Sequence, residues 1–277
     1  MATPFIAYSV NDLAGRGIAR ALTSLCEAKS TGGEILLKCR GFTAVMRGFE
    51  ADVIEFEFLD SAAPDASFHL VLSRHSSRSA IKTLSTHHPG NPGPRNDAGG
   101  RPYELPQANP VLAWLLLNEL RRTSSEEGLT DFDVTYEVTH HGPTGVRKPI
   151  TFVEIGSTES EWRFEKAHRA VAKAVVNALA RLVVERPRCV VAVGFGGNHY
   201  APRFTSRALS KGECYGHMVP AYVLRNLSDA DVRRVAELAI NATPGVQRVV
   251  VEKKLRSGIR RAIEEVAQSL GLEVLEV

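Results

Sequence analysis

Histidine is concentrated in a few short polar stretches of this 277-residue chain. Seven of the nine histidines lie in or just after four such stretches, and each stretch follows an apolar, β-branched run. The stretches are 73–77 (Ser-Arg-His-Ser-Ser), 87–92 (His-His-Pro-Gly-Asn-Pro), 139–144 (Thr-His-His-Gly-Pro-Thr) and 194–202 (Gly-Phe-Gly-Gly-Asn-His-Tyr-Ala-Pro), with His217 following the last. Ligands of α/β proteins bind at strand ends, where loops meet. Because histidine ligates metals and titrates near neutral pH, the pattern favours hydrolysis or metal binding.

The paired histidines His140 and His141 follow a predicted strand at 132–139. Neighbouring strand residues point to opposite faces, so both side chains reach one site only if the chain has already turned. Gly142 and Pro143 permit such a turn. Two alternatives remain open: both histidines serve one site, or one is a core residue and the other lies on the surface.

Glu154 is the only charged residue in the apolar run 152–155. A charge in a buried strand is costly unless it is paired or ligates a metal. Glu154 could therefore accept a hydrogen bond from a histidine, bind a metal or act as a general base. The structural alternative is an ion pair with an arginine such as Arg74 or Arg203.

The segment 190–200 combines a buried strand with a glycine-rich turn. Gly194 and Gly196 supply the first half of a G-x-G-x-x-G pattern, but position 199 is histidine and Pro202 is expected to prevent an immediate helix. A dinucleotide site is therefore disfavoured. A tight turn that lets a ligand approach the backbone, with His199 at its rim, is favoured instead.

Basic residues border the histidine-rich loops and one predicted helix start. They are Arg147, Lys148, Arg203, Arg207 and Lys211, together with Lys253, Lys254, Arg256, Arg260 and Arg261. Such a set suits phosphate contacts along a folded RNA. A solvated basic face is the alternative for any single residue, but the position of the whole set favours nucleic acid.

The composition narrows the class of protein. The chain is 44% hydrophobic, which is ample for a large core, and its net charge of +3 is far below that of a chromatin protein. The four cysteines show no C-x-x-C spacing, which predicts buried thiols instead of a zinc cage or disulfides. No apolar run reaches the ~18 residues that span a bilayer. The first ten residues do not resemble a signal peptide, so we expect a soluble cytoplasmic protein.

Strand-like and helix-like segments alternate along the chain, which predicts an α/β fold with a mostly parallel or mixed sheet and helices on both faces. Predicted helices cover 15–27, 109–122, 165–184, 229–241 and 257–270, and predicted strands cover 5–10, 34–39, 53–59, 67–73, 81–86, 132–139, 151–155, 190–193, 247–252 and 272–277. Residues 89–107 carry five prolines and four glycines and are expected to be irregular. Loops of this length are either functional or mobile insertions.

An ordered series of motifs runs through essentially the whole chain. The motifs are 73–77 (Ser-Arg-His-x-Ser), 88–92 (His-Pro-Gly-Asn-Pro), 99–102 (Gly-Gly-x-Pro), 137–144 (Glu-Val-Thr-His-His-Gly-Pro-Thr), 152–159 (Phe-Val-Glu-Ile-Gly-Ser-Thr-Glu) with Trp162, 196–203 (Gly-Gly-x-His-Tyr-Ala-Pro-Arg) through His217, and 252–254 (Glu-Lys-Lys). Together they resemble the D-aminoacyl-tRNA deacylases of the archaeal and plant type. The chain departs from the family pattern at Asn11-Asp12-Leu13-Ala14, where Asp-Pro-Ala is expected, and at Asn198, where threonine is commoner.

The resemblance implies a hydrolase that cleaves the ester between a D-amino acid and the terminal ribose of tRNA, which recycles mischarged tRNA. It also implies zinc as cofactor and a monomer. The implied fold is a three-layer α/β/α domain with a mixed sheet, similar to peptidyl-tRNA hydrolases and nucleoside phosphorylases, that occupies residues 1–277.

We hypothesise that the histidine stretches and Glu154 form one cleft, partly roofed by the 89–107 loop. The expected catalytic residues are His75, His88, His140, His141, Glu154 and His199, and the expected metal ligands are His88, His141, Glu154 and His199. Backbone N–H groups of Gly196 and Gly197 are the expected oxyanion donors. The expected contacts to the acceptor end of tRNA are Arg203, Lys253, Lys254 and Arg256. A pocket that sterically rejects L side chains would select the D-amino acid.

Other classes of function remain open on the residues alone. A metal-dependent amidase or a peptidyl-tRNA hydrolase would use the same residues on a different substrate. A tRNA-binding protein without catalysis would show steeply salt-dependent binding and no turnover. A nucleoside phosphorylase is suggested by fold analogy alone.

Overall fold

The structure is a computed structural model that describes residues 3–185 and 187–277. Strands of the larger sheet are β1 (Pro4–Ser9), β2 (Glu27–Thr31), β3 (Glu34–Cys39), β4 (Phe42–Phe49), β5 (Phe68–Ser76), β6 (Thr83–His87), β7 (Asp133–Tyr136) and β8 (Ile150–Ser157). Strands of the smaller sheet are β9 (Val190–Phe195), β10 (Glu213–Val219), β11 (Arg248–Val251) and β12 (Glu273–Glu276). The strand orders are β2-β3-β4-β1-β5-β8-β6-β7 and β10-β9-β11-β12.

The larger sheet is mixed and the smaller one is parallel. Strands β4, β1, β5 and β8 run parallel, β2 and β3 add an antiparallel meander, and β6 pairs antiparallel with β8. Strand β9 pairs in parallel with both β10 and β11. The predicted α/β fold with a mixed sheet is confirmed, and the structure adds that the strands divide between two sheets.

The helices are α1 (Leu13–Leu25), α2 (Leu59–Ala62), α3 (Pro110–Glu126), α4 (Glu159–Trp162), α5 (Glu165–Ala180), α6 (Pro202–Lys211), α7 (Ala221–Leu224), α8 (Asp229–Asn241) and α9 (Ser257–Ser269). Three of them begin at side-chain caps. The carboxylate of Asp12 accepts from the first backbone N–H groups of α1, and Asn109 and Ser228 do the same for α3 and α8. These caps satisfy donors that a helix start leaves free.

Helix α3 packs between the two sheets. Leu112 and Leu116 belong to the core that α1 and α5 form against the larger sheet, whereas Ala113 and Leu117 belong to the core under the smaller sheet. Residues four apart share one face of a helix, so the two pairs point in different directions. A helix that is apolar on several faces is a buried one, which explains its leucine-rich sequence. Helices α8 and α9 cover the opposite face of the smaller sheet.

Residues 137–139 join the two sheets. The backbone N–H of Glu137 donates to Thr86 in the larger sheet, at 3.3 Å. The next two N–H groups, of Val138 and Thr139, donate to His199 at 3.0 Å and to Met218 at 2.8 Å. The chain therefore crosses here from the edge of one sheet to the edge of the other, and it brings three of the histidine stretches together.

Two local predictions are wrong. Residues 53–59 were expected to be a strand, but Val53–Glu55 form a 3-10 turn that leads into α2, with the Asp52 side chain accepting from the N–H of Ile54. The buried Val53, Phe56 and Leu59 recur every three residues, which matches a helical turn better than a strand. Proline at position 202 was expected to prevent a helix, but it begins α6, because the first helical position needs no N–H donor.

The cysteines form disulfides, which corrects the prediction of buried thiols. Cys26 is bonded to Cys39, with Cα atoms 4.7 Å apart, and Cys189 is bonded to Cys214, with Cα atoms 5.8 Å apart. The second pair meets because β9 and β10 are neighbours, which sequence spacing does not reveal. Among the described residues, no helix is both long and apolar enough to cross a membrane.

Candidate active site

Glu154 lies in the middle of a polar row that crosses three adjacent strands. In the strand register it stands opposite Ser73 of β5 and opposite Ser85 of β6. Its side chain is buried, and the Ser73 hydroxyl donates to its Oε1 at 2.7 Å. His75 Nδ1 lies 3.6 Å from Oε2, and His87 Nε2 lies 3.5 Å from Oε1. Glu154 therefore pairs with histidines, and the alternative of an arginine partner is wrong.

Glu137 is a second buried carboxylate, and it gathers three imidazoles around one oxygen. The Ser85 hydroxyl donates to its Oε1. Its Oε2 lies 2.9 Å from His199 Nε2, 3.2 Å from His75 Nδ1 and 3.6 Å from His140 Nε2. Because Glu137 follows β7 where the chain leaves the larger sheet, its carboxylate reaches histidines from both sheets.

A turn brings both His140 and His141 into the same centre. His141 has a φ of +49°, a left-handed conformation that reverses the chain direction after the strand. The two rings lie 4.4 Å apart between centroids, and His87 lies 4.6 Å from His140. Nδ1 of His140 faces the carbonyl of Val138 at 2.8 Å, and Nδ1 of His141 faces that of Gly142 at 2.6 Å. Since a carbonyl only accepts, each Nδ1 carries the proton and each Nε2 keeps a lone pair.

The charges of this centre follow from its burial and its carboxylates. Burial would lower the pKa of His75, but the adjacent carboxylates of Glu137 and Glu154 raise it to about 11. Burial would raise the pKa of Glu137, but His199 and His75 hold it well below its ordinary value. Burial and neighbouring imidazoles lower the pKa of His141 to about 4. The centre therefore combines ionised carboxylates, a protonated His75 and a neutral His141. Ionised carboxylates and neutral imidazoles are the forms that bind metals.

The donor atoms of the centre could hold a metal ion. Three overlapping sets have their donor atoms within 4.8 Å of one another: His87, His140 and His141; His75, Glu137 and His199; and His87, Glu137 and Glu154. Both ring nitrogens of His87, Oε2 of Glu137 and Nε2 of His199 are buried without a hydrogen bond. His199 Nε2 is close to Glu137, but the two atoms are not aligned as donor and acceptor. Buried polar atoms normally find partners, so these orphans fit a set of metal ligands.

His88 does not join these sets, although its Nε2 is likewise buried without a hydrogen bond, so its prediction as a metal ligand has no support from them. Its Nδ1 faces the carbonyl oxygen of Gly216 at 3.1 Å, and its ring packs against His217 at 5.9 Å. Burial, reinforced by the charge of His217, lowers the pKa of His88 to about 3. Successive residues of a strand point to opposite sides, so His87 at the end of β6 faces the centre and His88 faces away.

The predicted oxyanion donors are already engaged. The N–H of Gly196 donates to the carbonyl of Val219, and the N–H of Gly197 donates to Oε2 of Glu252, both at 2.9 Å. Neither N–H points at the histidine–glutamate centre. The prediction that Gly196 and Gly197 stabilise an oxyanion therefore has no support from this geometry, since tertiary partners that the turn alone does not reveal accept both N–H groups.

A cavity of about 330 Å³ opens beside the centre. Its lining comprises Asp12, Asp52, Val53, Ile54, Arg74, His75, Ser76, Ala98, His140, His141, Glu154 and His199. The 89–107 loop contributes Ala98, as expected of a partial roof. The second carboxylate oxygen of Asp12 accepts from the N–H of Arg74 at 2.8 Å, so Asp12 ties the start of α1 to the end of β5.

A second cavity, of about 590 Å³, shares His199 with the first and is also lined by Tyr200. Arg203 and Lys254 line it, and Arg203 Nε lies 3.7 Å from the Glu252 carboxylate. Lys253 and Arg256 are exposed but lie outside this lining. Of the four predicted RNA contacts, two therefore border a cavity next to the centre.

Sequence reasoning missed three residues of the centre as site residues. Glu137 is a buried charge between the apolar Tyr136 and Val138, the same signal that singled out Glu154. The sequence prediction named His88, and not His87, as the site residue. The Tyr200 hydroxyl lies 3.2 Å from His75 Nε2, a contact between two sheets that no local pattern predicts.

Comparison with known proteins agrees with the resemblance. A family model described as D-aminoacyl-tRNA deacylase matches residues 62–275. The D-aminoacyl-tRNA deacylase of Aeropyrum pernix is 41% identical over 273 residues, with 97% of this chain and 98% of the relative covered. That of Staphylothermus marinus is 42% identical over 278 residues, with 98% of each covered. A crystal structure of a conserved protein of unknown function superposes with a TM-score of 0.86 at 30% identity, covering 99% of this chain and 95% of the other.

Fold and site together define an α/β protein whose two sheets share a buried histidine–glutamate centre that could hold a metal. The sequence comparisons then identify the family to which this chain belongs. The chain belongs to the D-aminoacyl-tRNA deacylase family.

Proposed function

We propose that this protein hydrolyses the ester bond between a D-amino acid and the terminal ribose of tRNA. The observation that carries the proposal is a pair of buried carboxylates, Glu137 and Glu154, ringed by imidazoles at the wall of a 330 Å³ cavity. Family membership supplies the substrate class. Ester hydrolysis needs a water that loses a proton as it attacks, a donor for the leaving oxygen, and a site that excludes bulk water.

His199 is the proposed general base. Its side chain is 37% exposed at the cavity, and its Nε2 lies 2.9 Å from Glu137 Oε2. An imidazole that takes a proton from water becomes a cation, and the adjacent carboxylate stabilises that cation. Glu137 thereby orients His199 and compensates its charge during the reaction.

Tyr200 is the proposed donor to the leaving ribose oxygen. Its hydroxyl, the imidazole of His75 and the carboxylate of Glu137 form a chain, with contacts of 3.2 Å at His75 Nε2 and 3.2 Å at His75 Nδ1. Such a chain lets His75 replace the proton that the hydroxyl donates. Tyr200 also lines the 590 Å³ cavity, which is the proposed seat of the nucleotide end of the substrate.

Zinc is the proposed cofactor, held by His87, His140 and His141, with the glutamates beside them. Imidazole and carboxylate are its ordinary protein ligands. When bound, it would act as a Lewis acid towards the ester carbonyl. The lone pairs that the Nδ1 contacts leave on His140 and His141 support this assignment.

The acceptor end of tRNA is proposed to cross the 590 Å³ cavity. Arg203 and Lys254 at the cavity, with Lys253 and Arg256 farther out, would contact phosphates without selecting sequence. The apolar walls Val53, Ile54 and Ala98 of the smaller cavity would exclude L side chains sterically. Since both sheets of one chain build the centre, we also propose that a single domain acts as a monomer, in the cytoplasm where tRNA is charged.

The deciding experiment follows release of amino acid from D-tyrosyl-tRNA and L-tyrosyl-tRNA, each with added zinc and with a chelator. We expect release from the D-ester only, lost on chelation and restored by zinc. D-specific release that survives thorough chelation would overturn the role of the metal. No release from the D-ester would overturn the deacylase function, and cleavage of peptidyl-tRNA in its place would establish the peptidyl-tRNA hydrolase alternative.

A further inference from the structure

Tyr222 presents an exposed aromatic ring next to the 590 Å³ cavity. It lies on α7 outside the cavity lining itself, but Ala221 of the same helix and Arg225, the residue at the helix end, both line that cavity. Tyr222 and Arg225 are three residues apart in a helical turn, so their side chains share one face. The tyrosine is 44% exposed, whereas Ala221 and Leu224 of the same helix are buried.

Packing does not explain the tyrosine. Leu224 anchors α7 in the core of the smaller sheet, and the N–H of Ala221 fixes the helix start to the carbonyl of Gly197 at 3.0 Å. Within residues 3–185 and 187–277, no aromatic ring stacks on Tyr222. Partial burial and then the negative charge of Glu137 raise the pKa of Tyr222, so its phenol lies within electrostatic reach of the catalytic centre.

The rim of this cavity is cationic. Arg203, Arg225 and Lys254 border it, and its single carboxylate, Glu252, is engaged by Arg203 and by the N–H of Gly197. A cationic groove beside an exposed aromatic ring is the usual recognition pattern for single-stranded nucleic acid, in which phosphates meet the cations and a base stacks on the ring.

We propose that Tyr222 and Arg225 bind the 3′-terminal adenosine of the substrate, with the base on the tyrosine ring and the adjoining phosphate on the guanidinium. The inference rests on the proposed deacylase function and identifies the residues that hold the nucleoside end. It places the base on one side of His199 and Tyr200, with the ester at the catalytic centre. Because every tRNA ends in the same nucleotide, this contact serves all of them without reading the rest of the sequence.

Steady-state kinetics on D-tyrosyl-tRNA test the proposal with three variants. Tyr222→Ala should raise KM about 10-fold with kcat within about 2-fold, in line with the strength of base–aromatic stacking. Tyr222→Phe keeps the ring and should retain the wild-type KM. Phe164→Ala, which removes a ring that is 41% exposed and lies outside the cavity, is the matched control and should behave as wild type. A wild-type KM for Tyr222→Ala would overturn the proposal.

Calorimetric titration with AMP and with inorganic phosphate separates stacking from charge. AMP should bind the wild type and Tyr222→Phe, and about 10-fold more weakly to Tyr222→Ala, whereas inorganic phosphate should bind all three alike. Equal AMP affinity in all three would overturn the role of the ring. The protein could bind AMP through Tyr222 and yet show no activity on D-tyrosyl-tRNA. That result would support the nucleotide site and overturn the proposed reaction. Equal thermal unfolding midpoints establish that the variants fold.

Discussion

Nδ1 of His75 lies 3.2 Å from Oε2 of Glu137, and this contact joins the two halves of the histidine–glutamate centre. His75 is near the end of β5, in the middle of the larger sheet, whereas Glu137 lies where the chain crosses to the smaller sheet. His199 reaches the same carboxylate oxygen from the loop after β9. The centre therefore exists only when both sheets are assembled around α3.

Glu137→Gln removes a negative charge from the centre with little change in size. We expect kcat to fall about 100-fold or more, the usual loss when general acid–base catalysis is impaired, because His199 would lose its charged partner and His75 would keep only Glu154. Bound metal, measured by elemental analysis, should fall as well. Glu119→Gln alters another buried glutamate, one that pairs with Arg122 and Arg181, and should lower stability without lowering kcat. Equal activity of the two variants would contradict the role of Glu137.

Alanine substitution of His87 and of His88 tests which of the two histidines binds metal. The structure favours His87, whereas the sequence predicted His88. His87→Ala should abolish most activity and lower metal content, because its ring faces Glu154 and His140. His88→Ala should chiefly lower the unfolding temperature, since it leaves a buried gap beside His217 and removes the partner of the Gly216 carbonyl. The measurements are kinetics, metal analysis and thermal denaturation on both variants. Loss of activity and metal in His88→Ala but not in His87→Ala would favour His88 as the ligand.

Gly156→Ala should disturb His75. An added Cβ at Gly156 would lie 2.4 Å from Thr83 Oγ1 and 2.9 Å from His75 Cδ2, so the imidazole must shift. Displacements near 1 Å can cost a catalytic site about 100-fold, and we expect a loss of about 10- to 100-fold in kcat. At Gly258, in the first turn of α9, a Cβ meets no atom within 4 Å, so Gly258→Ala should keep full activity. Full activity of Gly156→Ala would show that the centre tolerates the displacement.

Acid should weaken the smaller sheet through Glu213. Burial would raise the pKa of this carboxyl, but hydrogen bonds from Arg207, Tyr215 and Arg248 lower it below the ordinary value of 4.5. A lowered pKa in the folded state contributes stability that is present above the unfolded value and is lost as the pH falls through the folded value. Glu213→Gln should therefore lower the free energy of unfolding by about 3 kcal/mol at pH 7, since it removes a buried charge that the partly buried Arg207 and Arg248 share and leaves Arg248 with only Glu273.

The comparison to make is urea denaturation of wild type and Glu213→Gln at pH 7 and at successively lower pH. The difference between the two proteins should shrink below pH 4.5, because Glu213 of the unfolded chain takes up a proton there while the folded carboxyl is still ionised. A difference that is independent of pH would mean that the substitution acts through packing instead of charge.

Short-range interactions made several features of this protein predictable from its sequence. Asn109 and Ser228 cap α3 and α8 as expected, because a cap depends on residues within one helical turn. Glu154 was identified as a site residue because a charge inside an apolar strand must be compensated wherever the strand lies. The ordered motifs likewise identified the family, since they depend only on residue order.

Tertiary structure alone decided which side chains meet. Only the register of β5, β8 and β6 sets Ser73 and Ser85 beside Glu154, and only the crossing between the sheets brings Glu137 to His199. For the same reason, the sequence alone did not predict the two disulfides or show that His87, and not His88, faces the centre. These contacts join residues far apart in the chain, and their geometry is set by packing of the whole core, which no local pattern encodes.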